Sequence, residues 1–147
     1  MRIERITYDT IPSVVKLFDA YRQFYKQPGD KKAAEEFLME RITKGESVIF
    51  AAYEDEQPAG FVQLYPTFSS VAMQKMYILN DLFVAENFRK SGVGRKLMET
   101  IFAFCKEDKA RSVILETAAD NYSAQRLYEQ LGMKLDGVKH YEMNFES

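Results

Sequence analysis

The sequence is short of the features that mark secreted, membrane and nucleic-acid-binding proteins. Its only cysteine, Cys105, cannot form an intrachain disulfide, which indicates a reducing compartment. No apolar run reaches the length of a membrane span, and the charged N-terminus has no apolar signal core. The formal net charge is −2 and Lys and Arg form no long run, which argues against general nucleic-acid binding. We therefore expect a cytoplasmic protein that binds neither nucleic acid nor membrane.

The composition is that of an ordinary globular protein. Hydrophobic residues make up 46% and charged residues 29% of the 147 residues, and a chain of this size buries a core without disulfides or a metal. The sequence contains no linker, internal repeat or low-complexity stretch. It is therefore predicted to form one domain over residues 1–147.

Hydrophobic periodicity predicts an alternation of strands and helices. Strands are predicted at residues 2–7, 47–53, 59–65, 76–85 and 112–117, with one or two closing strands within 135–145. Helices are predicted after a cap at Asp9 or Thr10, and at about 31–44, 93–108 and 122–131. Residues 54–58 are predicted as a hairpin turn and residues 66–70 as a loop. This order predicts an α/β or α+β sandwich.

The strongest functional pattern is a glycine loop between the fourth strand and the following helix. Gly92 and Gly94 stand where that helix begins, so a phosphate can approach backbone N–H groups that have no partner inside the helix. Arg89, Lys90 and Arg95 add positive charge. The loop is neither a Walker motif nor a dinucleotide fingerprint, because it lacks Gly-Lys-Ser/Thr and a third glycine. Two glycines at a helix start are also ordinary turn residues, so phosphate binding depends on the wider pattern.

Two motifs in order resemble the GCN5-related N-acetyltransferase (GNAT) superfamily. Residues 89–94, Arg-x-x-Gly-x-Gly after Leu82–Val84, are similar to the family's coenzyme A signature. Residues 121–133 are similar to its Asn…Ala…Tyr…Leu-Gly-Phe helix, with Met133 in place of the usual phenylalanine. The resemblance implies a mixed, mainly antiparallel central sheet that is flanked by helices and splayed between the fourth and fifth strands.

The resemblance also implies acetyl-coenzyme A as co-substrate, and no metal. The backbone of the fourth strand would bond the pantetheine arm, and the glycine loop would hold the pyrophosphate chiefly through backbone N–H groups. The implied cofactor-binding residues are Leu82, Phe83, Val84, Arg89, Lys90, Ser91, Gly92, Val93, Gly94, Arg95 and Asn121.

The implied reaction is direct attack of a neutral amine on the acetyl thioester, with Tyr128 and Asp81 as the candidate catalytic residues. Tyr128 matches the family tyrosine proposed to protonate the departing thiolate, although a tyrosine at this spacing also packs on the core face of a helix. Diamine acetyltransferases of the family carry Leu-Glu-Asp before an aromatic-Val pair, whereas here Asn80 replaces the glutamate. Asp81 is therefore a base, a carboxylate that binds a cationic acceptor, or a structural residue bonded to backbone.

The implied acceptor site lies between the first two helices and the segment before the fourth strand. Tyr21, Tyr25 and Tyr65 occur there, and aromatic faces near the Asp81 carboxylate suit a cationic amine. The same aromatics also suit a core or a dimer contact. Residues 21–25 and 61–70 look like the branch of the family that acetylates polyamines and lysines of basic proteins.

These features predict an acetyl-CoA-dependent N-acetyltransferase whose acceptor is a small-molecule amine. Two other interpretations stay open: a protein lysine or N-terminal acetyltransferase, and a catalytically silent coenzyme-A-binding module. The family resemblance also implies a homodimer.

Overall fold

The computed structural model describes residues 1–146, which divide into two compact units. Residues 1–116 form the first unit, and the second begins at Thr117. The elements of the first unit are β1 (Arg2–Arg5), α1 (Pro12–Phe24), α2 (Lys31–Thr43), β2 (Val48–Glu54), β3 (Gln57–Ser69), β4 (Gln74–Val84), α3 (Val93–Glu107) and β5 (Val113–Leu115). Within the described residues, the second unit contains the helix α4 (Tyr122–Gln130). The single domain over 1–147 stays a prediction.

The sheet of the first unit runs in the order β1-β2-β3-β4-β5. Neighbouring strands are antiparallel except β4 and β5, which are parallel. α1 lies on one face, where Phe18 packs against Phe61 of β3 with 6.0 Å between ring centroids. α3 lies on the opposite face, where Phe104 packs against Phe50 and Tyr77. The predicted mixed, mainly antiparallel sheet flanked by helices is therefore confirmed.

The core beneath α1 fixes that helix over the middle of the sheet. Val14, Val15 and Phe18 are buried at the spacing of one helix face, and they meet buried side chains of β2 and β3 such as Ile49 and Phe61. Burying each such side chain contributes about 1.5–3 kcal/mol. This packing sets the position of one wall of the site described below.

β3 is longer than predicted, because residues 66–69 belong to the strand and not to a loop. Asp55 and Glu56 form a tight turn before it, both with positive φ (47° and 65°), in place of the predicted five-residue turn. Pro66 pairs with Tyr77 of β4. Because β2 pairs with β3 only as far as Leu64, Pro66 has a neighbouring strand on one side only, the position where strands tolerate proline.

The predicted closing strands within 135–145 are wrong, because the structure assigns no strand to residues 133–146. Leu135 and Phe145 are 95% and 94% exposed. Two amides of this segment are bonded locally: Val138 N–H donates to Asp136 Oδ1 at 3.0 Å, and Glu146 N–H donates to an Asn side chain at 2.8 Å. Such turn-type bonds compete with strand pairing, so alternation of apolar residues alone does not make a strand.

The first helix begins later than the predicted caps. Tyr8–Thr10 form one turn of 3₁₀ helix, in which Thr7 donates its backbone N–H to Thr10 Oγ1 at 2.8 Å. α1 then starts at Pro12, where the missing N–H costs nothing because first-turn amides have no helical acceptor. The threonine pair therefore caps the short turn and not the helix.

Candidate functional site

β4 and β5 share only a short parallel contact, and β4 continues beyond the end of β5. Pairing runs from Tyr77↔Val113 to Leu79↔Leu115 and then ends. The last part of β4, which holds the predicted pantetheine-binding residues 82–84, pairs within the first unit with β3 alone. Its other edge carries backbone groups that an extended ligand can bond in the manner of an added strand. The predicted splay between the fourth and fifth strands is confirmed.

The glycine loop has the geometry of an anion site. Gly92 is the N-cap of α3 and has a φ of +87°, in the left-handed region that favours glycine. No acidic residue occupies the first turn of α3, and its first N–H groups have no acceptor inside the helix. Arg89, Lys90 and Arg95 are exposed around the loop. N–H donors, the helix dipole and positive charge thus fit a diphosphate here.

Two other predicted loop residues, Ser91 and Val93, make contacts within the protein itself. Ser91 donates its hydroxyl hydrogen to the Phe88 carbonyl, and the Val93 side chain is buried, 1% exposed. Gly60 of β3 lies beneath: a Cβ there would be 2.9 Å from the Phe83 carbonyl oxygen and 3.0 Å from Val93 Cγ1. Gly60 therefore lets α3 begin close to the end of β4, a role that sequence analysis missed.

Arg89 folds back from the loop onto the end of β4. Its Nε donates to the Val84 carbonyl at 3.0 Å. Its guanidinium lies 5.6 Å from the centroid of the Phe83 ring and 5.8 Å from that of Phe24, within range of cation–π attraction. The predicted cofactor residues 82–84 and 89 are thus brought together in the structure.

A cavity of about 320 Å³ opens beside β4 in the first unit. Its lining comprises Phe18, Tyr21, Arg22, Ala33, Ala34, Phe37, Tyr65, Asn80 and Asp81. It brings together three of the predicted acceptor residues, Tyr21, Tyr65 and Asp81. Tyr25 is not in the lining: it is 59% exposed and packs edge-on against Tyr21 with 5.2 Å between ring centroids. A larger open cleft of about 650 Å³ elsewhere in this unit contains none of the predicted site residues.

A β-bulge turns Asp81 into this cavity. Tyr77 faces α3 whereas Phe83 faces α1, although the two residues are an even number of positions apart in β4 and a regular strand would put them on one face. The register with β3 skips Asn80, and one extra residue reverses the side-chain alternation beyond it. Asp81 consequently lies on the α1 face with Phe83, as the predicted alternation of these two residues requires.

Asp81 is a buried carboxylate, 3% exposed, whose partners are all uncharged. Asn80 Nδ2 donates to Asp81 Oδ1 at 2.9 Å, Gln63 Nε2 donates to Oδ2, and the Tyr21 hydroxyl also donates to the carboxylate. Burial raises the pKa of Asp81, and the three hydrogen bonds only partly oppose this. The carboxylate is therefore a stronger proton acceptor than an exposed aspartate.

The two tyrosines of the cavity stay protonated at neutral pH. Burial and the nearby Asp81 charge raise the pKa of Tyr65 to about 12. The same two causes, together with the hydrogen bond to Asp81, raise the pKa of Tyr21 further. Both hydroxyls therefore act as hydrogen-bond donors and not as bases.

The second unit holds the remaining predicted residues, Asn121 and Tyr128. Asn121 is the N-cap of α4, and its Oδ1 accepts from Ala124 N–H at 3.3 Å. Tyr128 is half-buried, and its carbonyl accepts from Met133 N–H at 3.0 Å just beyond the end of the helix, where Gly132 has a φ of +96°. This left-handed ending explains the Leu-Gly pair of the motif.

Sequence analysis missed two further polar residues, Ser47 and Gln63. Ser47 is 6% and Gln63 0% exposed, and Ser47 Oγ donates to Gln63 Oε1 at 2.6 Å. One signal was available: Gln63 interrupts the apolar run Phe61-Val62-Gln63-Leu64 at a position that alternation directs inward, together with Phe61.

Two other kinds of feature are absent from residues 1–146. No helix there is long and apolar enough to cross a bilayer, and no group of three or more His, Cys, Asp or Glu side chains is placed to hold a metal ion.

The buried Cys105 thiol has its pKa raised by burial to about 11, so it is protonated at neutral pH.

Comparisons with known proteins agree with this geometry. The model of the acetyltransferase (GNAT) family matches residues 14–133. An uncharacterized N-acetyltransferase, YhfO, of Bacillus subtilis is 41% identical over 98% of this chain and 97% of its own length, and a probable acetyltransferase of Haemophilus influenzae is 31% identical over 92% of each. The crystal structure of a probable acetyltransferase superposes with a TM-score of 0.94 at 35% identity, covering 100% of this chain and 99% of that one. The chain therefore belongs to the acetyltransferase (GNAT) family and is an acyltransferase.

Proposed function

We propose that the protein transfers the acetyl group of acetyl-CoA directly to the amine nitrogen of a small-molecule acceptor held in the cavity at Asp81. The observation that carries the proposal is a buried carboxylate with aromatic neighbours in a cavity of about 320 Å³, beside the unpaired edge of β4. A cavity of this size suits a small ligand. The aromatic faces of Tyr21 and Tyr65 suit the cationic form in which an amine arrives.

The donor side of the proposal uses the splayed edge and the glycine loop. Residues 82–84 would bond the pantetheine arm through their backbone, and residues 89–95 would hold the diphosphate. The support is the φ of +87° at Gly92, the unshared N–H groups of the first turn of α3 and the positive charge around them. Asn121 is assigned to the cofactor by its match to the family motif.

The proposed chemistry needs a proton acceptor, because an alkyl amine with a pKa of about 10 is mostly protonated at neutral pH. Asp81 would accept that proton, directly or through a water molecule, and its raised pKa brings it closer to the ideal for general base catalysis. The nitrogen then bonds to the acetyl carbon while the carbon–sulfur bond breaks. Tyr128 would give its hydroxyl proton to the departing thiolate, an assignment that comes from its position in the family motif.

The decisive experiment is a panel of acceptors with acetyl-CoA, read by release of free thiol. The panel contains monoamines, diamines, longer polyamines, and peptides with a lysine or a free N-terminus, because the sequence left those classes open. We expect release with at least one small amine and a loss of rate in Asp81→Asn. Release with peptides alone would overturn the small-molecule acceptor, and acetyl-CoA binding without any release would indicate a silent binding module.

A further inference from the structure

A buried polar chain leads from Asp81 away from the cavity and into the sheet. Gln63 of β3 lies opposite Asp81 in the strand register and donates from Nε2 to Asp81 Oδ2. Its Oε1 accepts from Ser47 Oγ at 2.6 Å. Ser47, Gln63 and Asp81 are 6%, 0% and 3% exposed. Three polar groups are thus withdrawn from water in one line.

Such a chain is tolerated only while each member is hydrogen-bonded, because a buried polar group without a partner costs stability. Phe61, two residues away on the same face of β3, is a fully buried apolar residue, so this face of the strand accommodates apolar side chains. Gln63 does not line the cavity. It therefore cannot contact an acceptor and can act on the reaction only through Asp81.

The direction of the chain is fixed by chemistry. An ionised carboxylate only accepts hydrogen bonds, so Gln63 must turn its amide nitrogen towards Asp81 and its oxygen away. Ser47 satisfies that oxygen. The Ser47 bond thus fixes the position of the amide, whose nitrogen stabilises the charged form of Asp81, while Asp81 Oδ1 accepts from Asn80 on the cavity wall.

We propose that Gln63, held by Ser47, is a positioning residue that keeps the Asp81 carboxylate ionised and aimed into the acceptor cavity. This inference rests on the proposed function, in which Asp81 accepts the proton of the amine.

Gln63 differs from the other polar groups near Asp81, because those groups line the cavity. α1 contributes the Tyr21 hydroxyl and, at the cavity wall, Arg22; β3 contributes Tyr65; β4 contributes the amide of Asn80. α2 contributes only apolar side chains to this wall. Each of these polar groups lies in the cavity, so their substitution alters acceptor binding as well. Gln63 is the donor that can be removed without touching the acceptor.

The test compares the pH dependence of kcat/KM in four variants, using one amine throughout. Gln63→Met removes the donor at similar size, and Ser47→Ala removes its support. Gln74→Met makes the same change at an exposed position of β4 as a control. Asp81→Asn removes the carboxylate itself. Circular dichroism and acetyl-CoA affinity by calorimetry report whether each variant is folded.

A hydrogen bond to a charged group shifts a pKa by about one to two units. We therefore expect the acid limb of the Gln63→Met profile to move up by about one to two pH units, with a smaller upward move in Ser47→Ala and none in Gln74→Met. Below the limb, the rate of Gln63→Met falls about ten- to a hundredfold relative to wild type. The part of the profile that reflects deprotonation of the amine is the same in all variants, because that pKa belongs to the acceptor.

Two results would overturn the inference in different ways. If Asp81→Asn loses the enzyme's acid limb while folded Gln63→Met and Ser47→Ala keep the wild-type limb, the positioning role is wrong and the proposed base stands. If Asp81→Asn keeps the wild-type profile, the proposed base is wrong and the positioning role goes with it. Ser47→Ala deletes only one hydroxyl, so it decides the question if Gln63→Met does not fold.

Discussion

The charge of a side chain at position 92 should decide how tightly acetyl-CoA binds. Gly92→Glu and Gly92→Gln have nearly the same shape, so the two variants differ only in a negative charge. Gly45→Glu and Gly45→Gln are the matched controls. Gly45 also has a positive φ, +68°, and a Cβ added at either glycine would meet nothing within 4 Å. All four variants place a side chain on a left-handed backbone, but only the Gly92 pair does so at the proposed diphosphate site.

Two magnitudes can be estimated: the cost of the left-handed backbone and the repulsion between the carboxylate and the diphosphate. A non-glycine residue in the left-handed region costs about 1–2 kcal/mol, which lowers the melting temperature of a chain this long by about 3–6 °C in all four variants. For an assumed separation of about 8 Å between a carboxylate and two phosphate charges, and an effective dielectric constant of about 40, the repulsion is about 2 kcal/mol. Gly92→Glu should therefore bind acetyl-CoA about thirtyfold more weakly than Gly92→Gln.

Calorimetric titration at low ionic strength measures this difference, and added salt should shrink it. The Gly45 pair should show equal affinities. Equal affinities of Gly92→Glu and Gly92→Gln, with both proteins folded, would refute the placement of the diphosphate at this loop.

Three further predictions concern other parts of the chain. Tyr128→Phe should lower turnover by about ten- to a thousandfold in initial-rate assays and leave acetyl-CoA affinity unchanged; turnover within about twofold of wild type would assign thiolate protonation to water. Gly60→Ala should lower the free energy of unfolding in urea by about 1–3 kcal/mol, since its Cβ would meet the Phe83 carbonyl at 2.9 Å and Val93 at 3.0 Å; an unchanged midpoint would show that α3 shifts aside freely. Asp81→Asn should melt at a higher temperature than wild type at neutral pH. Because burial raises the pKa of Asp81, the stability due to this group is fully present below its unfolded pKa and is lost as pH rises through the folded pKa. The melting difference should therefore shrink on acidification, and a difference independent of pH contradicts the assignment.

The parts of the site that could be predicted are those set by local sequence. Gly92 and Gly94 mark the start of a helix, and in the structure α3 begins directly after Gly92. Asn121 specifies an N-cap, and its side chain makes that bond. The strands and helices before residue 117 likewise follow from hydrophobic periodicity, with Pro66 as an exception because its tolerance depends on which strand lies beside it.

The parts that could not be predicted depend on pairing between strands. The bulge at Asn80 is a property of the register between β3 and β4, and no residue of either strand announces it. Its consequence, that Asp81 faces α1, decides the chemistry of the cavity. The link between Gln63 and Asp81 likewise joins residues far apart in sequence and appears only when the strands are aligned. Tyr25 shows the converse: it was predicted to belong to the acceptor site, yet it lies on the turn after α1 and is exposed.

The central claim is that acetyl groups pass from acetyl-CoA to an amine with help from Asp81. Mass spectrometry of the acceptor, after incubation with acetyl-CoA labelled in its acetyl group, measures this directly for wild type and Asp81→Asn side by side. We predict a labelled acetyl group on the nitrogen of a small amine, formed much more slowly by Asp81→Asn at neutral pH. Free thiol released without a labelled amine, or a labelled amine formed equally fast by both proteins, would contradict the account.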